Sequence, residues 1–290
     1  MIGWLLNIGT LNFMITSIQI GDLTIGGFAS GFLFSKLSGF GFPEVRVDIQ
    51  NRGNYHGAVL GMRRYGRRAM TIEGEIIGES AADYEAKRRA IEQALGYNDG
   101  LKTVIFNTRS GLAVQADVIV SSAVDLPYQA GKIIRGDFRI EFVAPYPFLE
   151  GTVEQTETVY MFSGGGGAIP SALPFSLAVG GSGAEVIAND GNGDAYPVFK
   201  IYGAITNPSV TNETTGKSLS IVYDLGVGDY IEVDMYNRTV LLNGSVNILQ
   251  YVSGDWWALT PGDNEVKLTA SANGVDAKTD LIFRDAYLGI

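Results

Sequence analysis

Apolar and polar side chains alternate along nearly the whole of this 290-residue chain, and the period lengthens to that of a strong helix only once, over Ala81–Leu95. Alternation puts successive side chains on opposite faces of an extended strand, so the chain is constrained to sheets with one buried and one wet face. The runs Ile15–Ile20, Val45–Gln50, Met70–Ile77, Leu112–Val120 and Ile133–Val143 all follow the rule. In the third, Met70, Ile72 and Ile76 share a face. In the last, Phe138, Ile140 and Phe142 oppose Arg139 and Glu141. Gly, Asn, Pro or Asp clusters bound each run, as turns between short strands require.

The helix has its own start and stop signals. Ser80 is the expected N-cap, Asp83 stands at the third helical position as in a capping box, and Gly96 is the expected C-cap. Tyr84, Ile91 and Leu95 form one stripe; Lys87, Arg88 and Arg89 lie mostly off it and read as a solvated face.

Pro145 and Pro147 stop the strand before them and mark a joint between two domains, expected over 1–150 and 151–290. Charge changes at the same place. The first 150 residues carry 15 basic and 15 acidic side chains, the remainder 6 and 16, which accounts for the net charge of −10. The stretch Gly164-Gly165-Gly166-Gly167 lacks a dinucleotide-binding frame and reads as a flexible turn. Beyond it Phe199–Tyr202, Ser218–Tyr223, Tyr230–Asp234, Thr239–Leu242 and Glu265–Thr269 are further short strands, spaced as in an antiparallel sandwich. The fold class is therefore mainly β.

The same residues restrict the chemistry. There is no cysteine and one histidine, His56, so thiol, triad and most metal mechanisms lack their usual side chains. Thr215-Gly216-Lys217-Ser218 has the end of a P-loop without its first glycine or a following helix. Asp190-Gly191-Asn192-Gly193-Asp194 begins like a calcium loop but has Ala195 and Ile201 where the turn glycine and bidentate Glu belong. No catalytic, metal or cofactor residue is assigned, and the expected class is a non-enzyme. The acidic balance disfavours sequence-specific nucleic-acid binding. Met1–Leu11 is apolar but has no basic flank and is too short to span a bilayer, so no membrane partner and a cytoplasmic product are expected.

Residues 38–290 resemble the distal tail protein family of siphophages, the siphovirus-type tail component. In the first half the resemblance rests on Gly39-Phe40-Gly41-Phe42-Pro43-Glu44-Val45-Arg46, then Gly53-Asn54-Tyr55-His56-Gly57-Ala58. Tyr65-Gly66-Arg67-Arg68 follows, leading into Met70–Ile76; then come the helix, Gly136–Phe142 and the closing Pro145-Tyr146-Pro147-Phe148. In the second half it rests on Tyr196–Gly203, Gly228–Asp234, Asn237–Gly244, Trp257, Pro261–Asn264 and Phe283–Ile290.

The resemblance implies an N-terminal split β-barrel with one α-helix and a C-terminal galectin-like antiparallel β-sandwich. It also implies a structural hub of the tail tip or baseplate: a homo-oligomeric ring, typically of about six copies, assembled in the host cytoplasm and carried in the virion. The implied partners are the tail tube protein, a tail-tip or tail-associated protein and a receptor-binding protein. Within that reading Arg63, Arg64, Arg67 and Arg68 are expected at a subunit interface, because arginines lining a DNA conduit would retard passage. The alternative is a carbohydrate-binding host-recognition module, with Trp256 and Trp257 as the candidate exposed aromatic contact. Neighbours on a strand point oppositely, so one of the two is expected in the core.

Overall fold

A computed structural model of the chain describes residues 14–96, 100–127, 134–161, 183–273 and 277–290. Met1–Leu11 and the glycine run at 164–167 lie outside them. The chain divides into two compact units: one ends at Thr152 and includes Tyr287–Ile290, the other spans Val153–Ala286.

The first unit contains β1 (Ile15–Ile20), β2 (Leu23–Ile25), β3 (Phe32–Ser38), β4 (Val45–Asn51), β5 (Ala58–Tyr65) and β6 (Arg68–Ile77). After α1 (Ala81–Leu95) follow β7 (Lys102–Thr108), β8 (Ala113–Val120), β9 (Arg135–Ala144) and β10 (Leu149–Gly151). The main sheet runs β2-β1-β7-β8-β9-β6-β3, an open path that does not close into a barrel among the described residues; β10 pairs with β8. Its longest ladder joins β6 and β9 in antiparallel register from Arg68↔Ala144 to Ile77↔Arg135. Partners in such a ladder share a face. Met70, Ile72 and Ile76 therefore bury together with Phe138, Ile140 and Phe142, each side chain contributing about 1.5–3 kcal/mol.

Helix α1 has the expected bounds. Ser80 Oγ accepts from the Asp83 amide at 3.2 Å, and Asp83 Oδ2 accepts from the Glu79 amide at 2.8 Å, so the reciprocal bond falls one residue before the N-cap. Tyr84, Ile91 and Leu95 bury as the stripe requires. Gly96 ends the helix in an extended conformation, φ −51°, instead of the left-handed one its identity suggests.

The second unit is a pair of antiparallel sheets. Its strands are β11 (Gln155–Tyr160), β12 (Ala184–Asn189), β13 (Val198–Tyr202), β14 (Ile205–Thr206), β15 (Ser209–Asn212), β16 (Lys217–Ile221), β17 (Asp224–Leu225) and β18 (Tyr230–Asp234). They continue with β19 (Thr239–Leu242), β20 (Val246–Asn247), β21 (Val252–Gly254), β22 (Gly262–Thr269), β23 (Ala272–Asn273) and β24 (Lys278–Phe283). One sheet is ordered β11-β24-β13-β18-β19-β20, the other β12-β22-β15-β16-β21, with a small β17-β14-β23 sheet beside them. Phe199, Ile231, Val233 and Leu281 of the first and Val210, Leu219, Val266 and Leu268 of the second are buried.

Candidate functional site

Among the described residues, strands β4 and β5 pair only with each other. Their register runs Val45↔Tyr65, Val47↔Arg63, Ile49↔Leu60, Asn51↔Ala58. Between the second and third pairs β4 advances two residues and β5 three, so β5 carries a bulge that bends and twists the ribbon. Every residue of both strands is exposed.

That exposure is costly, because one face is apolar. Alternation and register put Val45, Val47, Ile49, Leu60 and Tyr65 together with Arg63, and Ile49 and Leu60 are 57% and 73% exposed. The other face carries Arg46 opposite Arg64, with Met62 Sδ 2.7 Å from Arg64 Nη2. An isolated two-stranded ribbon is marginal in water. This one is held at its root by the Gly66 amide donating to the Glu44 carbonyl at 2.7 Å. Tyr65 also packs edge-on against Phe148, with ring centroids 5.5 Å apart, and Tyr146 meets the same ring at 5.4 Å. The aromatic–proline segment that punctuates the sequence thus clamps the base of the ribbon. His56 is exposed in the turn at its tip.

The four arginines separate. Arg63 and Arg64 stand on β5 and Arg67 lies just after it, all exposed. Arg68 does not belong with them: it is 1% exposed and internal. Its Nε donates to the Pro147 carbonyl at 2.9 Å, Nη1 to those of Gly39 (2.9 Å) and Gly41 (2.7 Å), and Nη2 to that of Leu288 (2.7 Å). Burial lowers its pKa to about 10, which leaves it charged at neutral pH. Fixed carbonyl dipoles therefore solvate the cation. A signal for this was present in sequence: Arg68 is in phase with Met70, Ile72 and Ile76, the inward side of β6.

The tryptophans also separate. Trp256 is half-buried, whereas Trp257 is buried and packs on Phe199 with ring centroids 4.9 Å apart, so it offers no exposed contact. Three buried asparagines organise the surrounding loops. Asn264 Nδ2 donates to the Thr260 and Gly262 carbonyls, Asn212 Nδ2 to Asn264 Oδ1, and Asn189 Nδ2 to the Gly193 and Leu259 carbonyls. Sequence reasoning missed them, because a structural asparagine and a surface asparagine look alike without tertiary partners.

The remaining motifs are structural. Thr215 and Gly216 lie in the turn of the β15–β16 hairpin and Lys217 opens β16, so a strand stands where a P-loop requires a helix. In the Asp190–Asp194 loop the Asp190 amide donates to Asp285 Oδ1 at 3.0 Å and the Gly191 amide to Asn189 Oδ1 at 3.1 Å. No group of three acidic or histidine side chains able to hold a metal occurs among the described residues.

Two family models match the chain. Residues 29–144 match the phage tail protein RIFT-related domain, and residues 190–287 match the C-terminal domain of the siphovirus-type tail component. Among solved structures the chain is similar to the Dit protein of phage SPP1, described as a hub adsorption apparatus in phages infecting Gram-positive bacteria. The identity is 13%, the TM-score 0.62, and 92% of this chain and 97% of that one are covered. Two structures of the phage P2 baseplate, with Ca and with Sr, match at 13% identity and the same coverages, with TM-scores of 0.42 and 0.40. No curated protein matches. The SPP1 likeness extends the mainly β fold over both units.

Proposed function

Because the chain belongs to the distal tail protein family of siphophages and so forms part of the virion tail, we propose that it is the structural hub of the tail tip, a ring of about six copies. In this reading the ring joins the tail tube to the host-adsorption apparatus and leaves a central passage for DNA. The role calls for no catalysis, only surfaces that meet copies of the chain and neighbouring tail proteins.

The observation that carries the ring is the exposed β4–β5 ribbon. Its apolar face costs free energy in water that a second copy would recover on contact. The contact is heterologous, ribbon to a different patch of the next copy, and such contacts close into rings when the rotation between copies allows. Arg63, Arg64 and Arg67 are placed on or beside the ribbon to set register with acidic groups of a neighbour.

Native mass measurement and negative-stain imaging over a concentration series test the proposal. Closed rings of about six subunits with a central hole support it. A chain that stays monomeric at every concentration, and with purified tail tube protein added, contradicts it.

A further inference from the structure

We infer that the outward face of β11, β24, β13 and β18 is a binding site for a neutral, hexose-containing glycan. The register places Tyr160, Lys278, Tyr202 and Tyr230 side by side in one row across the four strands. Two residues along each strand, Thr158, Asp280, Lys200 and Glu232 form a second row on the same face. None of the eight is buried, and Tyr160 is the most open of the row's three tyrosines at 61%.

The two rows match the two kinds of surface a pyranose presents. A sugar ring has a C–H face that packs on aromatic rings and a rim of hydroxyls that both donate and accept. Tyr202 and Tyr230 form a tilted aromatic pair, with ring centroids 6.0 Å apart at an interplanar angle of 37°. Lys278 Nζ lies 5.3 Å from the Tyr202 ring and Lys200 Nζ 5.8 Å from the Tyr230 ring, which holds both phenols in place. Tyr160 and Tyr202 stand two strands apart, about 10 Å at ordinary strand spacing, close to the length of a disaccharide.

The second row supplies the hydroxyl partners, already oriented. Thr158 Oγ1 donates to Asp280 Oδ1 at 2.7 Å, Lys278 Nζ lies 3.3 Å from the same oxygen, and Lys200 Nζ lies 3.3 Å from Glu232 Oε2. Two lysines against two carboxylates leave the face with no net charge, which fits a neutral ligand and not a phosphate or uronate polymer. Neither row contains an aliphatic side chain, whereas the centre of a protein–protein contact is depleted of charged groups. The glycan-binding alternative thus has a structural basis in these tyrosines, and it stands apart from the ring reading.

The test uses the full-length chain on an array of neutral and acidic bacterial wall polysaccharides, with cellohexaose and N-acetylchitohexaose as defined probes. Retention of at least one neutral glycan is expected. Tyr202→Ala should weaken it roughly tenfold, in line with the loss of one aromatic stacking contact, and Trp256→Ala should leave it unchanged. Tyr160→Ala, at an exposed position on the sheet edge, provides a second variant should Tyr202→Ala fail to fold, and should also weaken binding. Failure to retain any neutral glycan, retention of acidic glycans alone, or equal retention by both tyrosine variants overturns the inference. Imaging the same samples keeps the two readings distinguishable, since rings that form while glycan binding is absent refute only the site.

Discussion

Arg68 donates from Nη2 to the carbonyl of Leu288, 220 positions further along the chain, at 2.7 Å. Together with its bonds to Gly39, Gly41 and Pro147, this makes one buried cation the junction of four segments of the first unit. Buried acceptors stripped of their donor cost about 1–3 kcal/mol each. Arg68→Met is therefore expected to lower stability by about 3 kcal/mol or more, and Arg68→Lys by less, since one ammonium keeps the charge but cannot span four acceptors. Arg67→Ala, at the exposed neighbour, should stay within about 0.5 kcal/mol. Denaturant unfolding of the three variants measures the order.

The same junction has a backbone requirement. Gly39 sits at φ +86°, and a Cβ there would collide with the Ala69 carbonyl oxygen and the Met70 backbone. Left-handed strain alone costs a non-glycine residue about 1–3 kcal/mol. Gly39→Ala should lose at least that much in the same unfolding measurement, and an unchanged midpoint would remove the constraint.

The ribbon should behave in the opposite way. Ile49→Asp with Leu60→Asp alters two exposed side chains, so the thermal stability of the monomer should barely change. Ring assembly should be abolished, because two carboxylates would have to be desolvated in the contact. Native mass and a melting curve on the same preparation separate the effects; rings that persist in the variant would move the interface elsewhere.

In the second unit Trp257 fills the core against Phe199. Trp257→Ala should cost about 3–5 kcal/mol, and Trp256→Ala, at a half-buried position, should cost less. Its indole Nε1 has no hydrogen-bond partner among the described residues, so Trp257→Phe sacrifices volume but no hydrogen bond and should be the mildest change at that position. Chemical denaturation followed by tryptophan fluorescence ranks them.

Helix α1 should loosen in acid. The hydrogen bond from Lys87, then that from the Glu79 amide, hold the Asp83 carboxyl below its ordinary value of 3.8. A lowered carboxylate pKa means a contribution present above the unfolded value and lost as pH falls through the folded one. The protection of first-turn amides of α1, with intrinsic exchange divided out, should accordingly fall below pH 4, and Asp83→Asn should abolish that fall.

Strands with one buried face could be read from sequence because period two reports burial directly: β6, β8 and β18 all fall where alternation puts them. The same signal misled over β4. Its Val45, Val47 and Ile49 alternate like a half-buried strand but face solvent, since alternation marks an apolar face without saying what covers it. The arginines at 63, 64, 67 and 68 look like one cluster by spacing, yet strand phase alone sends Arg68 inward. The tyrosine row was illegible because its members come from four strands that only the register brings together.

The return of Tyr287–Ile290 to the first unit has a consequence in time. A ribosome makes residues 153–286 before it makes Leu288, so Arg68 must wait for its fourth acceptor, and the Phe40 carbonyl for the Ile290 amide, until the second unit has emerged. The part of the chain synthesised first is the part completed last.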